Sequence, residues 1–159
     1  MMLNKILGAT AMLGVLASTV PAFANGSTAS NSATGSNNQA YIDQVGDSQD
    51  AVNLQVGDGN YGAILQTGGN NGALNQVDTS DTNNQTIVQG FSGNTATNYA
   101  TGDGGNLQAI NQAGNDNTAT NSATGLGGNN QAISQSDMND TANNFADGQS
   151  NLQSINQHM

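Results

Sequence analysis

The chain has 159 residues, a formal net charge of −10, one Lys or Arg in total, no Cys and no Trp. That cation is Lys5 and every acidic side chain is Asp, so residues 25–159 have no Lys or Arg to neutralise phosphates, and nucleic acid and anionic membrane surfaces are poor partners. Without Cys it has no disulfide staple, and with 4% aromatic residues it cannot assemble a large apolar core.

From the N-terminus, Met1-Met2-Leu3-Asn4-Lys5 carries one positive charge and an apolar run extends from Ile6 to Val20. Pro21-Ala22-Phe23-Ala24 then puts small residues at both recognition positions of an Ala-x-Ala cleavage site. This layout predicts a secretory signal peptide over 1–24, with a buried N-terminal helix as the alternative. The run is short for a membrane span. The mature chain then runs from Asn25 to Met159, and loss of Lys5 moves its net charge from −10 to −11.

Gly, Asn, Gln, Ser and Thr dominate residues 25–159, a composition typical of disordered chains. Order appears as repetition. Asn38 to Gly46, Gln49 to Gly57 and Asn60 to Gly68 share one frame: seven residues from Asn or Gln to Gln, then x-Gly, at a step of 11. Alternate units differ, so the true repeat is a pair of arms of about 22 residues. The second arm opens with Asn38, Asn60, Asn83, Asn106, Asn129 and Asn151. It centres on Ile42, Ile64, Ile87, Ile110, Ile133 and Ile155, and closes with Gln44, Gln66, Gln89, Gln112, Gln135 and Gln157.

The first arm centres on Asn31, Asn53, Asn98, Asn121 and Asn144, with Leu74 as the exception in the third repeat. Ala29, Ala51, Gly72, Ala96, Ala119 and Ala142 precede that centre by two, and Ala33, Gln55, Gln76, Ala100, Ala123 and Ala146 follow it by two. The repeats fall at about 27–48, 49–69, 70–93, 94–116, 117–139 and 140–159, one array over 25–159.

Within each arm the constrained residues alternate, and a period of two means extended strand. The constrained side chains are assigned to the interior, and the variable ones (Gln39, Tyr41 and Asp43, for example) to solvent. Turn formers such as Gly46-Asp47-Ser48 and Gly57-Asp58-Gly59 separate the arms. Stacking such coils predicts an all-β fold, a β-solenoid of about six strand-turn-strand repeats in two facing parallel sheets. Like residues then lie over like at about 4.8 Å, and Asn and Gln, each donor and acceptor, can form ladders. The final coil keeps the full pattern at Asn151-Leu-Gln-Ser-Ile-Asn-Gln157 and no atypical cap is evident, so the two ends match and one molecule can continue the next as a filament. The Asp residues, mostly in turns, serve turn chemistry and add negative charge along the rim.

The spacing Gln49-x5-Gln55-x-Gly57-x-x-Asn60-x5-Gln66 resembles the repeat of curlins, the subunits of bacterial curli fibres, with Gln in place of the family's first Ser. Ser27-x5-Ala33-x-Gly35-x-x-Asn38-x5-Gln44 is similar. The resemblance covers the mature chain and implies a secreted, extracellular cell-surface amyloid that serves biofilm matrix and adhesion. It further implies a nucleator subunit and an outer-membrane secretion pore as partners. Ala40-Tyr-Ile-Asp-Gln44 looks somewhat like a nucleator repeat, but the absence of Lys and Arg after residue 5 points to the major subunit. Ala at positions 33, 100, 123 and 146 departs from the family's first-arm Gln and predicts a weakened ladder there. The family's Gly-rich export segment is not evident before Ser27.

Three rivals belong to other classes. A calcium-bound β-roll would suit the Gly-, Asp- and Asn-rich turns, but its Gly-Gly-x-Gly-x-Asp nonapeptide never recurs. A monomeric solenoid binding glycans or ice would use the outward Thr95, Thr97, Thr118 and Thr120, a pattern confined to two coils. An enzyme would need a base beside the many hydroxyls, and His158 is the sole His. No catalytic, metal or cofactor residues are therefore assigned.

Overall fold

The structure is a computed structural model. It describes residues 25–158 apart from 79, 80, 103 and 127, and the backbone of 11–12, 17–19 and 22–23. Three short strands come first: β1 (Ala11–Met12), β2 (Ala17–Thr19) and β3 (Ala22–Phe23). Six pairs come next, each a first and a second arm: β4 (Thr28–Thr34) with β5 (Gln39–Asp47), β6 (Asp50–Val56) with β7 (Tyr61–Gly69), and β8 (Gly72–Asp78) with β9 (Asn84–Gln89). The remaining pairs are β10 (Thr95–Thr101) with β11 (Leu107–Gln112), β12 (Thr118–Thr124) with β13 (Asn130–Gln135), and β14 (Thr141–Asp147) with β15 (Leu152–Gln157).

First arms form one sheet in the order β1-β4-β6-β8-β10-β12-β14, and second arms the other, β15-β13-β11-β9-β7-β5-β2, with β3 also on β5. Every pairing is parallel, and like residues stack, as in Ile64 on Ile87 and Asn98 on Asn121. The protein is an all-β solenoid of two facing parallel sheets. The segment expected to be a leader, 1–24, lies outside the described residues except for the backbone of β1, β2 and β3.

Alternation sets inside and outside. Along β12 the burial runs exposed, buried, half-buried, buried, half-buried, buried, as a period of two demands. The apolar strip pairs large with small: Ile42, Ile64, Ile87, Ile110 and Ile133 pack against Ala51, Ala73, Ala96, Ala119 and Ala142. Small residues let the sheets approach, and Ile fills the space.

The third coil corrects the sequence frame. Ala73, Asn75 and Val77 stack on Ala51, Asn53 and Gln55, so the inward residues are one position later than Gly72, Leu74 and Gln76. Leu74 faces outward. The strand begins only after Asn70, whose φ of 54° ends the preceding turn, so the first inward residue is Asn71, not Asn70. A Leu in the Asn column would also have orphaned its neighbours' buried amides.

The turns repeat one device. The residue before each inward amide or its equivalent is left-handed, from Gly26 (φ 75°) and Asn37 (58°) through Ser48 (55°) and Gly59 (69°) to Asn139 (62°) and Ser150 (58°). Gly68 is held more tightly, with a φ of 103°, and a Cβ there would lie 1.8 Å from the Phe91 carbonyl oxygen. Phe91 occupies the matching position one coil later and is strained, with a φ of 67°. Gly68→Ala is therefore expected to destabilise the fold by roughly 2 kcal/mol or more. Phe91→Gly is expected to stabilise it by about 1 kcal/mol, because the left-handed strain exceeds the entropy Gly adds to the unfolded chain. Chemical denaturation of the three proteins checks both signs.

Candidate functional site

The stacked amides are the candidate site. In the first-arm sheet the Asn53 Nδ2 donates to Asn31 Oδ1 at 3.0 Å, Asn75 to Asn53 at 2.9 Å and Asn98 to Asn75 at 3.0 Å. Asn121 to Asn98 and Asn144 to Asn121 complete the column at 3.1 Å each. The second amide hydrogen of each crosses to the opposite sheet, reaching Tyr41 O, Ala63 O, Thr86 O, Ala109 O and Ala132 O in turn. One side chain thus ties its own sheet vertically and both sheets laterally.

The second-arm Gln column does the same with opposite polarity. Gln44 Nε2 donates to Gln66 Oε1, Gln66 to Gln89, Gln89 to Gln112, Gln112 to Gln135 and Gln135 to Gln157, at 2.8–2.9 Å. These N–H bonds point toward the C-terminal coil, whereas the Asn column's point toward the N-terminal coil. Crossing bonds again reach the facing strand, as from Gln112 to Thr95 O at 3.1 Å.

The opening residues of the second arm act as corner pins. Asn38 Oδ1 accepts the Asn60 backbone N–H at 2.8 Å, and the relation repeats from Asn60 to Asn83, Asn83 to Asn106, Asn106 to Asn129 and Asn129 to Asn151. Asn38 Nδ2 meanwhile holds the Gly57 carbonyl of the turn at 2.7 Å. All the expected ladder residues face inward. Asn151, Ile155 and Gln157 are half-buried because they lie at the C-terminal edge of the stack.

Three features escaped sequence reasoning. Asn75 completes the Asn column where Leu74 was expected to interrupt it. Asn71, Asn94 and Asn117 form a second set of corner pins on the first arm, with Asn94 N–H on Asn71 Oδ1 and Asn117 N–H on Asn94 Oδ1, both at 3.0 Å. Gln85, Gln108, Gln131 and Gln153 form a further column linked at 2.8–2.9 Å.

The first-arm ladder is interrupted, as the Ala residues at 33, 100, 123 and 146 predict, with Gln55 stacked between Ala33 and Val77, and that last column takes its place on the facing sheet. Position 62 faces position 55: a Cβ on Gly62 would lie 2.8 Å from Gln55 Nε2. In register with it, Gln108 faces Ala100 and reaches past it to Tyr99 O at 2.8 Å. The amide has moved to the opposite sheet rather than been lost. The switch between coils leaves Gln55 Oε1 and Gln85 Oε1 buried without a partner. The signal was present in the recurring Asn-x-Gln-x-Ile-x-Gln of the later second arms, but one strand cannot show what faces it.

No Lys or Arg lies among the described residues, so the acids are not held by cations. Turn carboxylates bond instead to backbone: Asp58 Oδ1 accepts the Ser36 N–H at 2.6 Å and Asp81 Oδ1 the Asp58 N–H at 2.8 Å, one coil apart. Burial, and then the charge of Asp43, to which its hydroxyl donates at 3.3 Å, raise the Tyr41 phenol pKa above its ordinary value. Among the described residues no three His, Cys, Asp or Glu side chains gather, and no helix is long and apolar enough to cross a membrane.

Fold and columns together define a two-sheet parallel β-solenoid with an amide-lined core. Neither a scan of known protein families nor a search of curated proteins finds a match to the chain.

Asn98→Ala is expected to cost about 2–4 kcal/mol, since it strands the Asn121 donor and the Asn75 acceptor in a buried column, each worth about 1–3 kcal/mol. Thr97→Ser on the outer face should stay within about 0.5 kcal/mol. Ala100→Gln should destabilise by overpacking against Gln108. Adding Gln108→Gly, which copies the Gln55–Gly62 arrangement, should recover part of that loss, read as non-additivity in a denaturation cycle.

Proposed function

We propose that the chain is an exported structural subunit of an extracellular amyloid-like fibre of the curli type. In this reading the first 24 residues are a leader removed on export, and the remaining solenoid polymerises head to tail. One observation carries it: the amide and Ile columns run in register through all six coils, ending at the outer edge of the stack at the last coil and against β1, β2 and β3 at the first. A parallel edge with such a column extends by adding an identical coil, and a contact that repeats without closing gives a filament. β14 and β15 each end their sheet on one side.

The subunit's main partner is itself. By resemblance to curlins, a nucleator subunit starts the fibre and an outer-membrane pore exports the chain, and the fibre serves surface adhesion and biofilm matrix. The acidic balance favours the major subunit over the nucleator. No catalytic step belongs to this reading; the work is assembly.

Dilute exported chain should pass from a lag phase to growth of dye-binding fibres visible by electron microscopy, and fragments of those fibres should abolish the lag. A monomer that stays soluble and folded for days would overturn the reading. Ile110→Asp buries an unpaired carboxylate and Gln157→Ala removes the terminal amide of its column, so both should slow growth by about tenfold or more, as a loss of about 1.4 kcal/mol or above implies. Tyr61→Ser, on the outer face, should leave the lag time within about twofold. Equal lag times for all three would contradict the assignment of faces.

A further inference from the structure

The two ends of the stack are not merely similar but complementary in hydrogen bonding. Asn31 is only 6% exposed, yet its Nδ2 has no hydrogen-bond partner. Every other Asn in its column donates to two groups of the preceding coil: the column amide oxygen, and the carbonyl of the residue before the Ile on the facing strand. Continuing the register beyond the last coil, those two acceptors are Asn144 Oδ1 and the Ser154 carbonyl, Ser154 being the stacking partner of Ala132. The reverse-polarity column matches as well. Gln157 Nε2 uses one hydrogen on Thr141 O at 3.2 Å and carries a second, while Gln44 is the first acceptor position of that column.

Resting on the fibre reading, we infer that the joint between subunits is a seventh in-register step, in which Asn31 of one copy docks on Asn144 and Ser154 of a second copy. The step sets β4 on β14, with Thr28 over Thr141, Ala29 over Ala142 and Asn31 over Asn144. It sets β5 on β15, with Ile42 over Ile155 and Gln44 beneath the Gln157 donor. The Asn38 backbone N–H takes Asn151 Oδ1, as each later corner pin does within the chain. One column falls short, because Gln153 meets Ala40, so the joint has one amide bond fewer than an internal step between the last four coils. In the full chain β2 and β3 lie along β5 at Gln39–Tyr41 and Gln44–Val45, and β1 pairs with Ala33 and Thr34 of β4. The second-arm half of the joint therefore requires that leader segment to leave, while residues 28–32 carry no strand on that side among the described residues.

Register is tested by cross-linking, which the Cys-free chain permits. Ser30 and Asn143 face outward, and the joint stacks one over the other at about 4.8 Å, within disulfide reach. Fibres co-assembled from Ser30→Cys and Asn143→Cys chains should give oxidised mixed dimers. Ser30→Cys with Phe145→Cys, two residues out of register and beyond about 7 Å, should give none. The donor is tested by Asn31→Asp, which keeps the oxygen that Asn53 needs and replaces only the unpartnered nitrogen. Its monomer should retain the β-signal of the unaltered chain by circular dichroism. Elongation from unaltered seeds should fall about tenfold or more, since a carboxylate oxygen then faces two acceptors. Fibres from the unaltered chain that neither cross-link at this pair nor discriminate against Asn31→Asp would overturn the joint while leaving the fibre. Absence of fibres from the unaltered chain would remove both.

Discussion

A buried carboxamide has to find partners for two donors and an oxygen, and in this protein that requirement governs the rest. Among the described residues the interior holds 24 buried polar side chains, all Asn or Gln, against 17 buried apolar ones, so the core is more amide than hydrocarbon. Leaving one such amide unpaired costs about 1–3 kcal/mol, comparable to what burying an aliphatic side chain contributes. Apolar burial tolerates sliding; a column of amides does not. The Ile and Ala strip supplies cohesion, and the amides select the register at which it is realised.

Satisfaction in two directions comes from the arm geometry. One amide hydrogen travels along the stack and the other crosses to a backbone carbonyl already bonded within its own sheet, using that oxygen's second lone pair. The Asn and Gln columns run with opposite polarity, and each edge presents both donors and acceptors as a result. A stack whose columns all pointed one way would concentrate donors at one end and acceptors at the other. Opposed columns instead place donors and acceptors together on each edge, and each column is continued by its own kind across a head-to-tail contact.

Much of this was legible in the residues. Alternation at two gave strand, the 22-residue pairing of arms gave the solenoid, and the Ile, Asn and Gln positions gave most of the columns. What escaped was whatever depends on a second strand. Leu74 could be aligned with the Asn positions in the sequence, but stacking on Asn53 places Asn75 there, because a left-handed Asn70 delays the strand by one residue. Ala100 read alone is a missing Gln; opposite Gln108 it is the space that Gln needs. The facing partner of a residue is fixed by the length and conformation of a turn, and Thr82 or Phe91 in a left-handed turn position obeys no sequence rule.

Stacking in parallel register also explains the unusual charge content. A residue type repeated at one strand position sits over itself at about 4.8 Å, and two unit charges at that distance repel by roughly 1 kcal/mol even in water. Neutral amides can be repeated six deep where ions cannot. In the strands no Asp stacks on another: Asp43 lies on Leu65, Asp47 on Gly69, Asp50 between Thr28 and Gly72, and Asp147 on Thr124. Where two do approach, at Asp58 and Asp81, they are in turns, and the carboxylate of one caps the backbone N–H of the other. Among the described residues the acids are thus spread over the outer face and the rim, with Asp140 alone at an inward position, in the last coil. There it replaces the Asn of the first-arm corner pins, and its Oδ2 is left buried without a partner. That exception marks the C-terminal edge as the place where the amide rule is relaxed.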